Sequence, residues 1–358
     1  MPRVGFVYRD GIQLKLDGVS FRHIGVNTPG IAYYGAGPLP ASRADQEVFL
    51  DNARCMGARV VRLFAGHRDL SHDRAVNLLS DFLDRALNQY DIRALVSFTD
   101  FYINYHHPPG DDGYYQVDAN GFTVLSPSWF GGGFRDNYLP WVLTVVSRLS
   151  DHPGVFAWEL GNELKNLPNP QVYVDFAQQM HTEIRARDPD HLITPGVASV
   201  ANADLSWAQA RQLYSGMDIV QVHVYGADHA DNDMALARDM GLAHIVGEAG
   251  YPPNNRVADL QWDLQDWFNT LGTQGYYQWG FMPTSYDNGD GDRIFGMDRI
   301  FHGDFEDLFR VYTAFTGADC EPIPPPPPQG ASLLPLVIGL GIGAMSVYLL
   351  SRIGQGGE

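Results

Sequence analysis

Two apolar runs in this sequence end on glutamate. The first, VFAWELGNE at 155–163, carries Val155, Phe156, Ala157, Trp158 and Leu160 and then breaks into Gly161, Asn162 and Glu163. The second, IVGEAG at 245–250, places Glu248 in the same setting. A strand buried on both faces reads as a continuous apolar run, and stability alone gives it no reason to finish on an amide beside a carboxylate. Taken singly, Asn162-Glu163 reads as the cap of a following helix; a second carboxylate on a similar strand reverses that reading. Two carboxyls at the C-terminal tips of strands in one barrel can divide the work of general acid and nucleophile. Glycosidic-bond cleavage with retention uses such a pair about 5–5.5 Å apart.

Other polar groups stand at equivalent tips. Arg62 lies in VRLF, His223 and Tyr225 in HVYG, and Trp279 in QWG. Each has a plainer use. Arg62 can pair with Glu159, which shares strand parity with Glu163 and so points into the barrel. His223 can be a satisfied core histidine, and Tyr225 and Trp279 can be rim packing. The loop 101–134 holds Tyr102, Tyr105, Tyr114, Tyr115, Phe122, Trp129 and Phe130. Such rings suit stacking on pyranose faces, with Tyr102 and Trp129 as substrate-binding candidates, or equally an aromatic mini-core under the loop. Asp287, Asn288, Asp290 and Asp292 resemble part of a calcium loop, but no glutamate follows at the required spacing. No metal and no cofactor are expected.

The elements that position these groups follow from hydrophobic periodicity. Strands are predicted at 21–27, 60–64, 94–98, 155–163, 192–198, 219–224, 245–247 and 276–281. Helices are predicted from Ser42, as N-cap, to 56, and at 73–90, 137–149, 172–187, around 207, at 234–240, 257–271 and 305–315. Eight alternating units over about 300 residues imply an α/β fold, a closed (β/α)8 TIM barrel. An open doubly wound sheet is the runner-up, without the glycine-rich phosphate loop such folds carry after the first strand. Segments 4–8 and 12–16 flank Arg9-Asp10-Gly11, a hairpin expected to cover the barrel's bottom.

The 358 residues suit one large domain with an appendage. A formal charge of −18 excludes a nucleic-acid partner, whose phosphates would be repelled. Hydrophobic content of 45% supplies a core, and 12% aromatics suit a neutral ligand such as a polysaccharide or oligosaccharide. The first residues do not read as a signal peptide. We divide the chain into a catalytic barrel at 1–320, a proline-rich linker at 321–332, an apolar span at 333–350 and a short polar tail at 351–358. The span is free of charge and, at about 1.5 Å per residue, about 27 Å long, enough for a transmembrane helix. Gly339 and Gly343 form a GxxxG pair that could support a helix-mediated dimer. Arg352 after the span, with Asp319 and Glu321 before it, favours a membrane-anchored, extracytoplasmic barrel. The two cysteines, Cys55 and Cys320, fall at the ends of the first and last helices, neighbours in a closed barrel, and are expected to form a disulfide.

With WELGNE at 158–163, HVYG at 223–226, GEAG at 247–250, QWG at 278–280 and VRLF at 61–64 in this order, residues 12–315 resemble glycoside hydrolase family 5. That family belongs to a clan of (β/α)8 retaining glycosidases. The opening LDGVSFRHIGVN and the aromatic third loop look most like its endo-β-1,4-mannanases. The resemblance implies Glu163 as acid/base and Glu248 as nucleophile, the latter kept ionised by Arg62 and Tyr225. It further implies Asn162 at the sugar 2-hydroxyl, His223 orienting the acid/base, and Trp279 as a sugar platform. The family often places a histidine after the third strand; here stand Thr99, Asp100 and Tyr102, with His106 and His107 further on. The implied activity is endo-hydrolysis of mannan or glucomannan. A β-glucanase or cellulase of the same family, a non-catalytic glycan-binding barrel and a tethered structural protein with a vestigial site are the alternatives.

Overall fold

The computed structural model describes residues 2–33, 41–225, 231–284 and 293–324. These belong to one compact unit, residues 1–325; a second unit, 326–358, lies outside the described residues. Eight parallel strands form the central sheet: His23–Asn27, Ala58–Phe64, Arg93–Ser97, Val155–Glu159, Leu192–Thr194, Ile219–Tyr225, Ala243–Gly250 and Gly275–Gln278. The ladder is continuous from the fifth strand back through the first and on to the eighth, seventh and sixth. The seam between fifth and sixth is bridged by single bonds, Asp218 N–H to the Ile193 carbonyl at 2.9 Å and His223 N–H to the Ala198 carbonyl at 2.7 Å. The result is a nearly closed barrel, as the β/α alternation predicts.

The fifth strand is shorter than its predicted 192–198 because Pro195 has no N–H to extend a ladder. Gly196 follows at φ +76°, where a Cβ would collide with the Gly161 carbonyl and crowd the Glu159 side chain. The fourth strand stops at Glu159 rather than running to 163. The first helix, Arg43–Cys55, is held by a reciprocal capping box between Ser42 and Asp45. The helix predicted at 257–271 is α-helical only over Arg256–Gln265 and widens into a π turn at Asp266–Leu271. Arg22 takes the Phe268 carbonyl there, while Trp267 stacks flat on His244 at 5.6 Å.

At the N-terminus, Val7–Asp10 and Gln13–Leu16 pair around a two-residue turn, with Gly11 at φ +61°, and Val19–Ser20 adds a third strand. Val7, Leu14 and Phe21 pack with Val60, Leu95, Phe156, Leu192, Ile219 and Ile245, all near the entry ends of the barrel strands. The hairpin therefore plugs the bottom, leaving the opposite end for chemistry. Cys55 and Cys320 are joined as a disulfide with Cα atoms 5.6 Å apart. The compact unit continues past the expected boundary at 320, because Ile323 exchanges two backbone hydrogen bonds with the Asn52 side chain.

Among the described residues no helix is long and apolar enough to cross a membrane. The predicted span 333–350, its Gly339/Gly343 pair, most of the linker and the acidic loop at 287–292 lie outside the described residues.

Candidate active site

The strand tips bring one buried cation and three carboxylates together. Arg62, 2% exposed at the end of the second strand, grips both oxygens of Glu159 (Nε to Oε2 at 2.8 Å, Nη2 to Oε1 at 2.9 Å). The same guanidinium donates to Asn27 Oδ1 at 3.1 Å, to Asn162 Oδ1 at 2.8 Å and to Glu248 Oε1. Arg62 thus contacts both carboxylates at once, since its planar fork has enough donors for Glu159 and for Glu248. Burial works against its charge, but Glu159 and Glu248 more than offset this and raise its pKa.

Glu163 lies beyond the fourth strand, in a stretch tied to the third loop by Asn162 N–H to Thr99 O at 2.8 Å and Phe101 N–H to Asn162 O at 3.0 Å. Its φ of +53° is left-handed, uncommon for a side chain with a Cβ and a feature concentrated at functional sites. The next helix, Pro170–Arg185, begins too far on for Glu163 to cap it. Instead Glu163 Oε1 lies at hydrogen-bond distance, 2.8 Å, from His223 Nδ1, and Tyr102 Oη donates to Oε2 at 3.3 Å. Across the mouth, Tyr225 Oη donates to Glu248 Oε2 at 2.6 Å, and His223 Nδ1 lies 3.4 Å from the same oxygen. One carboxylate oxygen of Glu163, one of Glu248 and a ring nitrogen of His223 fall within 4.8 Å of one another.

The two carboxyls titrate as a pair around His223. Burial, ahead of the opposing pull of His223 and Arg62, raises Glu248, and repulsion from Glu163 adds to this. Burial also pushes Glu163 upward, but the hydrogen bond and charge of His223, with Lys165 and Arg62 behind, outweigh it and hold that carboxyl low. The pair keeps its last proton to higher pH than an isolated glutamate would. A dication bound by these three donors would sit against the Arg62 guanidinium, so the set fits a shared proton better.

Some candidates lie elsewhere. Trp129 is fully buried, packed on Phe130, Phe134, Tyr138 and Phe176, with its Nε1 on Asp111 at 3.2 Å. It belongs to an aromatic mini-core and presents no face to a sugar, so its place among the substrate-binding residues is corrected. Trp279 follows the eighth strand, 5% exposed, its N–H on the carbonyl of Ala249 beside Glu248. His107 is buried and His106 half-buried, the latter stacked on Phe64. Asp100 braces the site instead, accepting from Asn162 Nδ2 at 3.1 Å.

Sequence reasoning missed Asn27 and Gln221, and noted Asp100 only for its place after the third strand. Gln221 was within reach, because it precedes His223 by two and so shares its strand face. Its Nε2 donates to Glu159 Oε1 at 2.6 Å and stands 3.0 Å from His223 Nε2.

No family model matches the chain. A probable mannan endo-1,4-β-mannosidase C of Aspergillus terreus is 27% identical over 287 residues, covering 68% of this chain and 64% of that protein. Mannan endo-1,4-β-mannosidase F of Aspergillus clavatus is 22% identical over 286 residues, covering 72% and 58%. The chain thus spans less than two thirds of the length of these relatives. Among solved structures, a glycoside hydrolase family 5 mannosidase from Rhizomucor miehei superposes with a TM-score of 0.65 at 13% identity, covering 88% of this chain and 97% of that one. The endo-1,4-β-D-mannanase of Thermotoga petrophila gives 0.62 at 18% identity, covering 82% and 100%. The chain has a (β/α)8 barrel and is similar to mannan endo-1,4-β-mannosidases, among solved structures to one of glycoside hydrolase family 5.

Proposed function

We propose that the chain is a retaining endo-β-1,4-glycoside hydrolase acting on mannan or glucomannan. One observation carries this reading: Glu163 and Glu248 stand with carboxylate oxygens within 4.8 Å of each other, too close for the water that an inverting pair must admit. Glu163 is the acid/base. With the cleft free, the burial of Glu248 and the His223 contact of Glu163 favour the pair's proton on Glu248, so it must pass to Glu163 as substrate binds and from there to the leaving glycosidic oxygen; Glu163 later takes one from water. Glu248 is the nucleophile. Arg62 and Tyr225 hydrogen-bond its carboxylate form and stabilise the charge it must carry when the pair holds one proton. Asn162 Nδ2 spends one hydrogen on Asp100 and keeps one for the sugar 2-hydroxyl, where contacts strengthen as the oxocarbenium-like state forms. Tyr102 and Trp279 would flank the bound sugar. The mannan preference rests on the relatives' names, and β-1,4-glucan is the competing polymer because cellulases share the fold.

The test is reducing-end release from mannan, glucomannan, cellulose and mixed-linkage glucan, beside a Glu248→Ala control. Release from mannan that the control loses supports the proposal; release from cellulose alone moves the substrate to glucan. No release from any polymer by a folded barrel defeats the hydrolase reading. The proposal also places the barrel at an extracytoplasmic membrane face through residues 333–350. The full chain should then sediment with membranes, whereas residues 1–325 should not.

A further inference from the structure

Behind the two carboxylates runs a second line of polar groups. Glu159, fully buried, offers Oε1 to Gln221 Nε2 at 2.6 Å. That nitrogen also lies 3.0 Å from His223 Nε2, and His223 Nδ1 lies 2.8 Å from Glu163. The orientation of the Gln221 amide is fixed by chemistry. An oxygen in place of Nε2 would face the Glu159 carboxylate, whereas an NH2 group has two hydrogens for two acceptors. This orientation leaves Gln221 Oε1 buried with no hydrogen-bond partner among the described residues, a cost the fold bears for it. The fold also makes room for the side chain: a Cβ on Gly247, next to Glu248, would stand 2.5 Å from Gln221 Cδ.

If the second Gln221 hydrogen points at His223 Nε2, that nitrogen must present its lone pair. The ring then carries its proton on Nδ1, where it faces Glu163. We propose that Gln221, anchored by Glu159, is a positioning residue that locks His223 in the Nδ1–H tautomer, so that Nδ1 faces Glu163 as a donor and not as a base that could take its proton. In that tautomer Nδ1 is already occupied and cannot accept the Glu163 proton, and Nε2 faces a donor. In the opposite tautomer Nδ1 would be a base beside the general acid and could empty it. The inference rests on the proposed role of Glu163, but the tautomer itself can be read without any activity.

The experiment is nitrogen NMR of the 15N-histidine-labelled protein, in wild type, Gln221→Met and Gln221→Glu. The expected wild-type spectrum has His223 protonated on Nδ1 and bare on Nε2. Gln221→Met removes the donor while keeping the length, and should give a mixture of tautomers. Gln221→Glu adds an acceptor and should bring a proton to Nε2; if its carboxylate beside Glu159 prevents folding, Gln221→Met alone decides. Kinetics add a second reading. Gln221→Met should lower kcat about tenfold or more on mannan oligosaccharides, whose leaving group needs a proton, with KM little changed. On a dinitrophenyl glycoside, which leaves unaided, the bond-breaking step should change less than about threefold. An Nε2–H ring in the wild type overturns the proposal, as does an unchanged tautomer in Gln221→Met. If the wild type hydrolyses neither substrate, the hydrolase reading fails while the tautomer lock still stands or falls on the spectrum.

Discussion

Replacing Arg62 by methionine would test how the buried charges hold one another. The guanidinium touches five acceptors: both oxygens of Glu159, Asn27 Oδ1, Asn162 Oδ1 and Glu248 Oε1. Glu159 would keep Gln221 as a donor, and Glu248 would keep Tyr225 and His223. Neither replaces a charge. Removing one partner of a buried ion pair costs about 3–5 kcal/mol, because the remaining charge stays desolvated without compensation. That is a large part of the roughly 5–15 kcal/mol by which a domain is stable. Urea unfolding followed by tryptophan fluorescence, with the disulfide intact, should show this loss for Arg62→Met. Adding Glu159→Gln should then recover at least about 1 kcal/mol, since the second change removes one of the stranded charges. A loss below about 1 kcal/mol for Arg62→Met, or a further loss on adding Glu159→Gln, would refute the reasoning.

Three further outcomes follow from groups outside the cleft. Cys55→Ser should cost about 2–5 kcal/mol, seen as a lower urea midpoint that reductant no longer shifts, because the bridge closes a loop of 265 residues. Desolvation lowers His23, His106 and His244 from 6.5 to about 3, so between those values the unfolded chain binds more protons and stability drains as the pH falls. At pH 5 each ring should cost about 2 kcal/mol, measurable as a steep fall in Tm from neutral to mildly acid buffer. Asp111 behaves in the opposite sense: burial, against hydrogen bonds from Trp129 and Asn137, raises it from 3.8 to about 7. The folded state holds that proton longer, so stability falls as the pH rises through this window and about 4 kcal/mol is missing above it. Asp111→Asn should flatten that slope and raise the urea midpoint at pH 8.

The barrel was legible because each unit repeats one physical pattern, an apolar strand and then an amphipathic helix. The carboxylates were legible because Glu163 and Glu248 each follow an apolar run in the sequence, where burial alone would not place them. Boundaries suffered where a local rule interrupted the period, as at Pro195, which stops the fifth strand. The hairpin of Tyr115–Val117 and Thr123–Leu125 was missed although Asn120-Gly121 signalled it; Gly121 turns there at φ +86°, and Asp118 Oδ1 accepts from the N–H groups of Asn120 and Phe122. Composition could not divide the third loop's rings between cleft and core. Trp129 went inward because Asp111 meets its indole N–H, whereas Tyr102 reached the mouth with its hydroxyl on Glu163. The π turn at Asp266–Leu271 leaves no mark in the hydrophobic spacing, since it inserts into a helix whose apolar face continues.

The most direct test of the central claim is the configuration of the first sugar released. Proton NMR during early hydrolysis of a mannan oligosaccharide resolves the two anomers before they equilibrate. Double displacement through Glu248 predicts that the β anomer forms first and decays toward the α,β mixture. An α anomer forming first would mean a single inversion, and would contradict the assignment of Glu163 and Glu248 as a retaining pair.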